Sequence, residues 1–384
     1  MKQIKGLKIA LLSTSLFIMS HLAIAPAIPD LYTFYHAKDP SITLVSVETL
    51  VTIPAMMILL AVIFSNLLIA KIGKKKTVEL GLSLIFLSGL LSFFATNFQL
   101  VFIGRLLLGF GIGIYNPLSI SMISDYFDKE SRSAMIGMRT ATLNIGKTLT
   151  TFLVGYALLL GTRYIFLIYI LVLPVLFLFH YFVIDIPVQE KRLTKVVVFD
   201  QEAVLWMLIT LLIGIAYIGA TIKIPTLLVN HYAYNQFDAS RLLVVLAFSG
   251  ILLGLVFGTI SKVMKSYTLP LMLLLMALGN LLFVFGNHLP LFYLGAILIG
   301  ASFVGGMSAI FDGMAIHYPK EQLTFVTSMA ITAGNIGVIV SPLILTKLVA
   351  RLSWEMFVTP FYITAGAMFL SLVFFLFLRK KEIS

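Results

Sequence analysis

The sequence predicts an all-α membrane protein of twelve transmembrane helices, arranged as two six-helix bundles related by a parallel repeat. Three observations predict it. Of the 384 residues, 60% are hydrophobic and 11% charged, against roughly 45–50% and about 25% in a soluble domain, so lipid is the solvent for most of the chain. Apolar stretches of about 20 residues, the length that crosses a hydrocarbon core of about 30 Å, recur from end to end with short polar interruptions. The chain also matches itself when shifted by 191 positions, which carries Gly104 onto Gly295.

The spans fall at roughly 9–29, 43–70, 77–96, 100–124, 134–160, 164–184, 203–229, 242–261, 268–286, 290–316, 323–347 and 356–378. The first imitates a secretory leader, with Lys2, Lys5 and Lys8 ahead of an apolar run and Ala23, Ala25 and Ala27 behind it. It is long enough to span, and is expected to stay uncleaved as the membrane partner of the later spans. With the N-terminus inside, the even connections hold Lys71, Lys74, Lys75 and Lys76, then Lys129, Arg132 and Arg139, then Lys191, Arg192 and Lys195, then Lys262, Lys265 and Lys320. The opposite side holds Lys38, Arg163, Arg241, Lys347 and Arg351. This bias places both termini in the cytoplasm, and the expected membrane is a bacterial plasma membrane. It also explains the net charge of +11 as topology, not as a nucleic-acid footprint.

The repeat needs no gap over its clearest stretches. Leu107 and Gly109 fall on Leu298 and Gly300, Lys129-Glu130 on Lys320-Glu321, Met138 on Met329, and Asn144-Ile145-Gly146 on Asn335-Ile336-Gly337. Six spans separate the copies, so both have the same orientation. The expected domains are 1–185 and 203–384, joined by a polar cytoplasmic linker at 186–202. Spans 3, 6, 9 and 12 have almost no ionisable residue away from their ends and are expected to face lipid. Spans 1, 4, 5, 7 and 10 carry His21, Arg105, Lys147, Lys223 and Asp312.

Several local motifs resemble those of the major facilitator superfamily, over essentially the whole chain. Asn66-Leu-Leu-Ile-Ala70-Lys71-Ile-Gly73-Lys74-Lys75-Lys76 is similar to that family's G-x-x-x-D-[RK]-x-G-[RK]-[RK], with Asn66 for the first glycine and Ala70 for the acid. Glu130-Ser-Arg132-Ser-Ala134-Met-Ile-Gly137 resembles the E-R-x-x-A-x-G segment, and Arg105-Leu-Leu-Leu-Gly109 the R-x-x-x-G of span 4. Pro26-Ala-Ile-Pro29 looks like the P-x-x-P of the twelve-span drug/proton antiporters. The glycine-proline element of those antiporters is here Gly146-Lys147-Thr148-Leu149, with a lysine for the proline. The resemblance implies the major facilitator fold and a secondary transporter working by alternating access, with proton-coupled efflux preferred. A multidrug/proton antiporter for lipophilic compounds and a proton-coupled uptake carrier are the alternatives.

A cation in mid-membrane costs roughly 2.5–3.5 kcal/mol on insertion scales, so Lys147 needs water, a partner or a purpose. Thr140, Asn144 and Thr151 share its helical face. Arg105 shares a face with Gly109 and Asn116 and, by resemblance, is the arginine that antiporters of the family use to couple proton release to substrate binding. Lys223 is able to snorkel, and His21 titrates most cheaply. Glu48, Asp30 and Asp312 are the acids nearest the membrane interior: Glu48 and Asp30 lie close to the outer edge, where Glu48 is a coupling candidate and both are open to an interfacial reading, while Asp312 in span 10 is the better proton or counter-ion candidate. Asn335 repeats Asn144. Basic residues outnumber acids in this interior, which favours an anionic, carboxylate-bearing or neutral polar cargo. Gly73, Lys74, Lys75, Asp125, Glu130 and Arg132 form an expected cytoplasmic gate, which with Ala70 in place of the family's acid is either weaker or has Asp125 or Glu130 as a substitute. Gly109 and Gly113, and Gly250, Gly254 and Gly258, are small-residue faces for close helix packing.

Other classes find little support. The chain has no Cys, six scattered histidines without an H-x-x-x-H pair, and no G-x-x-x-x-G-K-[ST] loop, so thiol chemistry, a histidine metal pair and ATP coupling drop out. Gly306-Met-Ser308-Ala309 lacks a base and reads as packing, against an intramembrane enzyme. A channel would not need two repeated halves. The expectation is therefore a non-enzyme without cofactor or metal, working as a monomer with a small solute, protons as coupling ion and membrane lipids, and no nucleic acid.

Overall fold

In a computed structural model, residues 2–184 and 200–383 are described, and the expected linker therefore lies largely outside the described residues. Eleven helices are long and apolar enough to cross a membrane among the described residues, and one of them, Gln236–Phe285, is two helices meeting at the tight turn Lys265–Tyr267. We number the resulting twelve α1 (Ile4–His36), α2 (44–72), α3 (74–94), α4 (Phe98–Tyr126), α5 (Lys129–Leu160), α6 (Tyr164–Phe182), α7 (Gln201–His231), α8 (Gln236–Met264), α9 (Thr268–Phe285), α10 (Leu289–His317), α11 (Phe325–Arg351) and α12 (Thr359–Phe377). The chain is an all-helical membrane protein, and it divides into two compact units, Met1–Lys191 and Arg192–Ser384.

Sequence chemistry sets the helix ends. Asn97, Asp128, Asp200 and Asn235 each accept a backbone N–H three residues on, capping α4, α5, α7 and α8. Asp200 is therefore a cap and Gln201 already helical, so the polar segment ends sooner than its composition suggested. α2 and α3 run together except at Gly73, whose φ of 82° lies in the left-handed region that glycine tolerates.

Within the N-terminal unit, α4 packs along α2 through its glycines. A Cβ on Gly109 would lie 2.7 Å from Pro54 Cα, and one on Gly113 would lie 2.6 Å from Ala61 Cβ. Within the C-terminal unit, Gly250 on α8 meets Val304 of α10, but a Cβ on Gly254 would only touch Val304 at 3.5 Å and Gly258 faces open space. Of the expected small-residue face of α8, only Gly250 makes a close helix contact. The units also differ in what fills them: Phe283 stacks between Phe292 and Phe361 at 5.4 and 5.1 Å in the C-terminal unit, which buries Lys223, whereas the N-terminal unit buries Glu48, Arg105, Arg139 and Lys147.

Candidate functional site

The site begins with a helix that does not stay helical. α1 is regular over Lys2–Ser13 and Ile28–His36, but between them it tightens into 3-10 turns at Thr14–Phe17, Ser20–Leu22 and Ala25–Ala27. The hydroxyls of Ser13, Thr14 and Ser20 bond back to the carbonyls of Ala10, Leu11 and Phe17 at 2.9, 2.7 and 2.7 Å, and Pro26 and Pro29 have no N–H to give. Irregular backbone inside a bilayer needs other partners for its carbonyls. Tyr115 of α4 donates to Thr14 O at 3.0 Å, Tyr169 of α6 to Ser20 O at 3.1 Å, and Arg105 to His21 O.

Arg105 is the centre of this repair. Its Nε donates to Leu50 O at 2.7 Å and a terminal nitrogen donates to the Tyr169 hydroxyl at 2.6 Å. The Leu50 carbonyl is open because the residue four places on is Pro54, which has no N–H for it. The same proline brings the backbone of α2 close to α4, where Gly109 leaves space one helical turn beyond Arg105. Arginine, proline and glycine thus solve one problem together, and a side chain only 1% exposed finds acceptors for its charge.

Lys147 lies beside this broken stretch. Gly146 sits so close to α1 that a Cβ would lie 2.5 Å from Leu16 Cα, and Lys147, next in the chain, is 4% exposed. Lys147 has an interaction partner, and its charge, like that of Arg105, reaches His21. The His21 Nδ1 has no hydrogen-bond partner among the described residues. Glu48 on α2 is wholly buried, so its turn of α2 faces the unit's interior. Asp30, half-buried, keeps one carboxylate oxygen unpaired among the described residues.

Sequence reasoning missed Arg139. The positive-inside count placed it with cytoplasmic charges, yet it lies within the apolar span of α5 and is 8% exposed. It donates to Ser119 Oγ and Asn116 Oδ1, both at 2.9 Å, and so ties α5 to α4. The polar spacing of Asn116 and Ser119 opposite an arginine was the available signal. Asn144 turns back on its own helix, donating to Thr140 O at 3.0 Å.

In the C-terminal unit, Lys223 of α7 is 2% exposed and has an interaction partner. It precedes Pro225 and a π turn at Leu227–His231, and a second π turn at Leu343–Leu348 follows Pro342 in α11; in each the proline ring disturbs the regular ladder. Tyr217 stacks on Phe303 with centroids 3.7 Å apart. Gly337, two residues on from the half-buried Asn335, is where α11 touches α7, with a Cβ reaching 3.2 Å from Ile215 N. Asp312 does not join a buried charged cluster. It is exposed, 3.4 Å from Ser261 Oγ, and lines a side cavity, because its turn of α10 faces the ends of α8 and α9.

At the expected gate, Lys74 pairs with Asp125 at 2.5 Å. Lys75 donates to His180 O at 2.8 Å, and Arg132 donates to Ser124 O at 3.1 Å. The side chain of Glu130 lies outside the described residues. On the other unit, Tyr318 donates to Asp200 Oδ1 at 2.6 Å. Partial burial works against the Asp200 carboxylate, but that hydrogen bond and the Ala203 N–H hold it below its ordinary range.

A twelve-helix membrane protein with buried cations and interrupted helices belongs to the class of polytopic carriers. The family model of the Major Facilitator Superfamily matches residues 10–311 and 262–384, and the chain belongs to that family. It is a multi-pass membrane protein. The structure is similar to a D-xylose-proton symporter, with a TM-score of 0.74 at 15% identity and 97% of each chain covered. It is also similar to a bacterial homologue of the human lysosomal transporter Spinster in an inward-facing, occupied conformation, with a TM-score of 0.73 at 13% identity, covering 99% of this chain and 97% of that one. At these identities the likeness concerns the fold. A Methylenomycin A resistance protein of Bacillus subtilis (strain 168) is 31% identical over 113 residues, 27% of this chain and 24% of that protein's length.

Proposed function

We propose that the protein is a proton-coupled exporter of an anionic, carboxylate-bearing or neutral polar solute, working by alternating access. The observation that carries this reading is the inventory of buried charge: Arg105, Arg139, Lys147 and Lys223 against Glu48 alone among the described residues. An interior with that excess attracts negative charge and rejects lipophilic cations. Arg105 and Arg139 hold backbone and amide groups, and Lys147, beside the irregular stretch of α1, is the cation we assign to the cargo. Glu48 and His21 are the buried groups able to gain or lose a proton in a cycle. Export follows from the Pro26-Ala-Ile-Pro29 and Arg105 motifs and agrees with the resistance protein among the relatives. Cytoplasmic termini, a bacterial plasma membrane and a functional monomer complete the reading.

The test is binding and proteoliposome transport by purified protein across carboxylates, neutral polar solutes and cationic dyes. Carboxylates are expected to bind, and Lys147→Ala to weaken them more than about tenfold, since truncating one partner of a buried charge pair costs about 2–5 kcal/mol. Competition by cationic dyes together with an indifferent Lys147→Ala would overturn the cargo assignment. Transport that ignores an imposed pH gradient would overturn proton coupling. A second reading, export of lipophilic compounds, is favoured by the stack of buried Tyr217 on half-buried Phe303, and the dye arm decides it.

A further inference from the structure

Of the two buried arginines in the N-terminal unit, one has every nitrogen engaged and the other does not. Arg105 gives its Nε and both terminal nitrogens to the Leu50 carbonyl, the Tyr169 hydroxyl and the His21 carbonyl. Arg139 gives its Nε to Ser119 and one terminal nitrogen to Asn116, and its other terminal nitrogen has no hydrogen-bond partner among the described residues. It forms no ion pair among them either. The nearby acids are engaged elsewhere, Asp125 with Lys74 and Asp128 in capping α5. Helix packing does not require this charge. The repeat carries Asn116, Ser119 and Arg139 onto Met307, Ile310 and Ala330, which belong to the apolar interior of the C-terminal unit. A cation held where its copy is an alanine has a use beyond joining two helices.

The neighbouring groups are set as donors. The Ser119 hydroxyl gives its proton to Asn116 O at 2.7 Å and so accepts from Arg139. With Oδ1 accepting from Arg139, the Asn116 amide presents its NH2 as a second donor. The seam between α4 and α5 is open here: Pro117 and Thr140 are exposed, and a Cβ on Gly137 would meet nothing within 4 Å. The geometry points to Arg139 and Asn116 as an anion subsite that binds the carboxylate of a small solute, with the remaining guanidinium nitrogen and the amide NH2 donating to its two oxygens. A flat, two-oxygen acceptor suits an arginine beside an amide better than a spherical ion does. Lys147 lies about 12 Å farther along α5 at 1.5 Å per residue, so the subsite is separate from it. The choice of a carboxylate rests on the cargo reading above, to which it adds a second place where the solute is held.

The test uses full-length protein in nanodiscs, with benzoate as the probe, benzamide as its uncharged match and chloride as the spherical anion. Phenylglyoxal labels arginine, and peptide mass spectrometry reads the rate at Arg139 apart from the other arginines. Arg139 is expected to be labelled, and benzoate at about ten times its dissociation constant to slow that labelling about tenfold. Benzamide and chloride at the same concentration should leave the rate unchanged. Protection is expected to persist in Lys147→Ala. In that background Arg139→Lys, which keeps the charge and loses the flat fork, is expected to weaken benzoate about tenfold by equilibrium dialysis. Arg139→Gln is expected to abolish the preference for benzoate over benzamide. An Arg139 that phenylglyoxal does not reach, equal protection by chloride, protection lost in a folded Lys147→Ala, or benzoate affinity unchanged in Arg139→Lys would overturn the inference. Failure of the cargo reading looks different: transport indifferent to Lys147→Ala, with benzoate still protecting Arg139.

Discussion

The two units are copies of one six-helix pattern, and they have kept its contacts while diverging in chemistry. Gly146 presses α5 onto α1 at Leu16, and Gly337, its repeat partner, presses α11 onto α7 near Ile215. The same register, Gly104 on Gly295, carries Arg105 onto Ala296, Arg139 onto Ala330 and Lys147 onto Val338. Ala296 and Ala330 are wholly buried. The position of a helix contact is therefore a property of the repeat, whereas the buried cations sit at different places in the two copies: Arg105, Arg139 and Lys147 in one, Lys223 in the other. A cation enters a membrane interior only with acceptors waiting, and the N-terminal unit supplies them through an irregular α1 and a proline in α2. In the C-terminal unit, stacked aromatics share the interior with one buried cation, Lys223, and its buried Asn280 is met by Thr364 at 2.8 Å.

Removing the central cation should break this contrast most severely. Arg105→Ala leaves the His21 and Leu50 carbonyls without this donor and deprives the Tyr169 hydroxyl of its charged partner, at about 1–3 kcal/mol for each group left unsatisfied. A loss of several kcal/mol is expected, read as a fall in melting temperature in detergent. Asn280→Ala in the other unit should cost about 1 kcal/mol, because the Thr364 hydroxyl retains the Pro360 and Phe361 carbonyls as acceptors. Equal melting temperatures for the two variants would mean that the units are held together in the same way.

The shared contacts are tested by a glycine series. Gly146→Ala and Gly337→Ala each force a methyl group against backbone and should destabilise by a similar amount, about 1–3 kcal/mol. Gly258→Ala meets nothing within 4 Å and should stabilise its helix by up to about 1 kcal/mol. A large difference between Gly146→Ala and Gly337→Ala would show that the copies no longer share the contact.

The helices, their number and the repeat were legible because each is written locally, in runs of apolar residues and in paired glycines. The broken middle of α1 was not, although Ser13, Thr14, Ser20, Pro26 and Pro29 all hinted at it. Whether such a stretch unwinds depends on donors from α4 and α6, more than 80 residues away in sequence for Arg105 and His21. Arg105 and Lys147 stood out as charges in apolar runs. Arg139 did not, because a count of basic residues by connection takes no account of depth. Asp312 was misjudged for the opposite reason: its depth was roughly legible, but the direction its turn of α10 faces was not.

A smaller effect separates the units at their ends. The folded carboxyl of Asp200 lies below its ordinary 3.8. A depressed carboxyl stabilises the fold above its unfolded value and loses that contribution as pH falls through the folded one. The Asp200–Tyr318 tie should therefore hold through neutral and mildly acid pH and loosen only below about pH 4. Hydrogen exchange at the Ala203 amide, which Asp200 caps, is the readout. Loosening near pH 6 would assign the titration to another group.

The smallest effect concerns Ala70, where the family pattern has an acid. Lys74 pairs with Asp125 at 2.5 Å, but both side chains are partly exposed, at 16% and 28%, so the pair should contribute no more than about 1 kcal/mol and weaken with salt. If Asp125 has taken over the role of the missing acid, Asp125→Asn alone should loosen the α2–α3 connection, and Ala70→Asp should restore it. In the wild-type background Ala70→Asp should then do little, because Lys74 already has its counter-charge. A double-mutant cycle on cysteine accessibility at introduced sites flanking Gly73 measures this directly. Additive effects of the two substitutions would mean that Asp125 and residue 70 act on different partners, and that this connection works without a substitute acid.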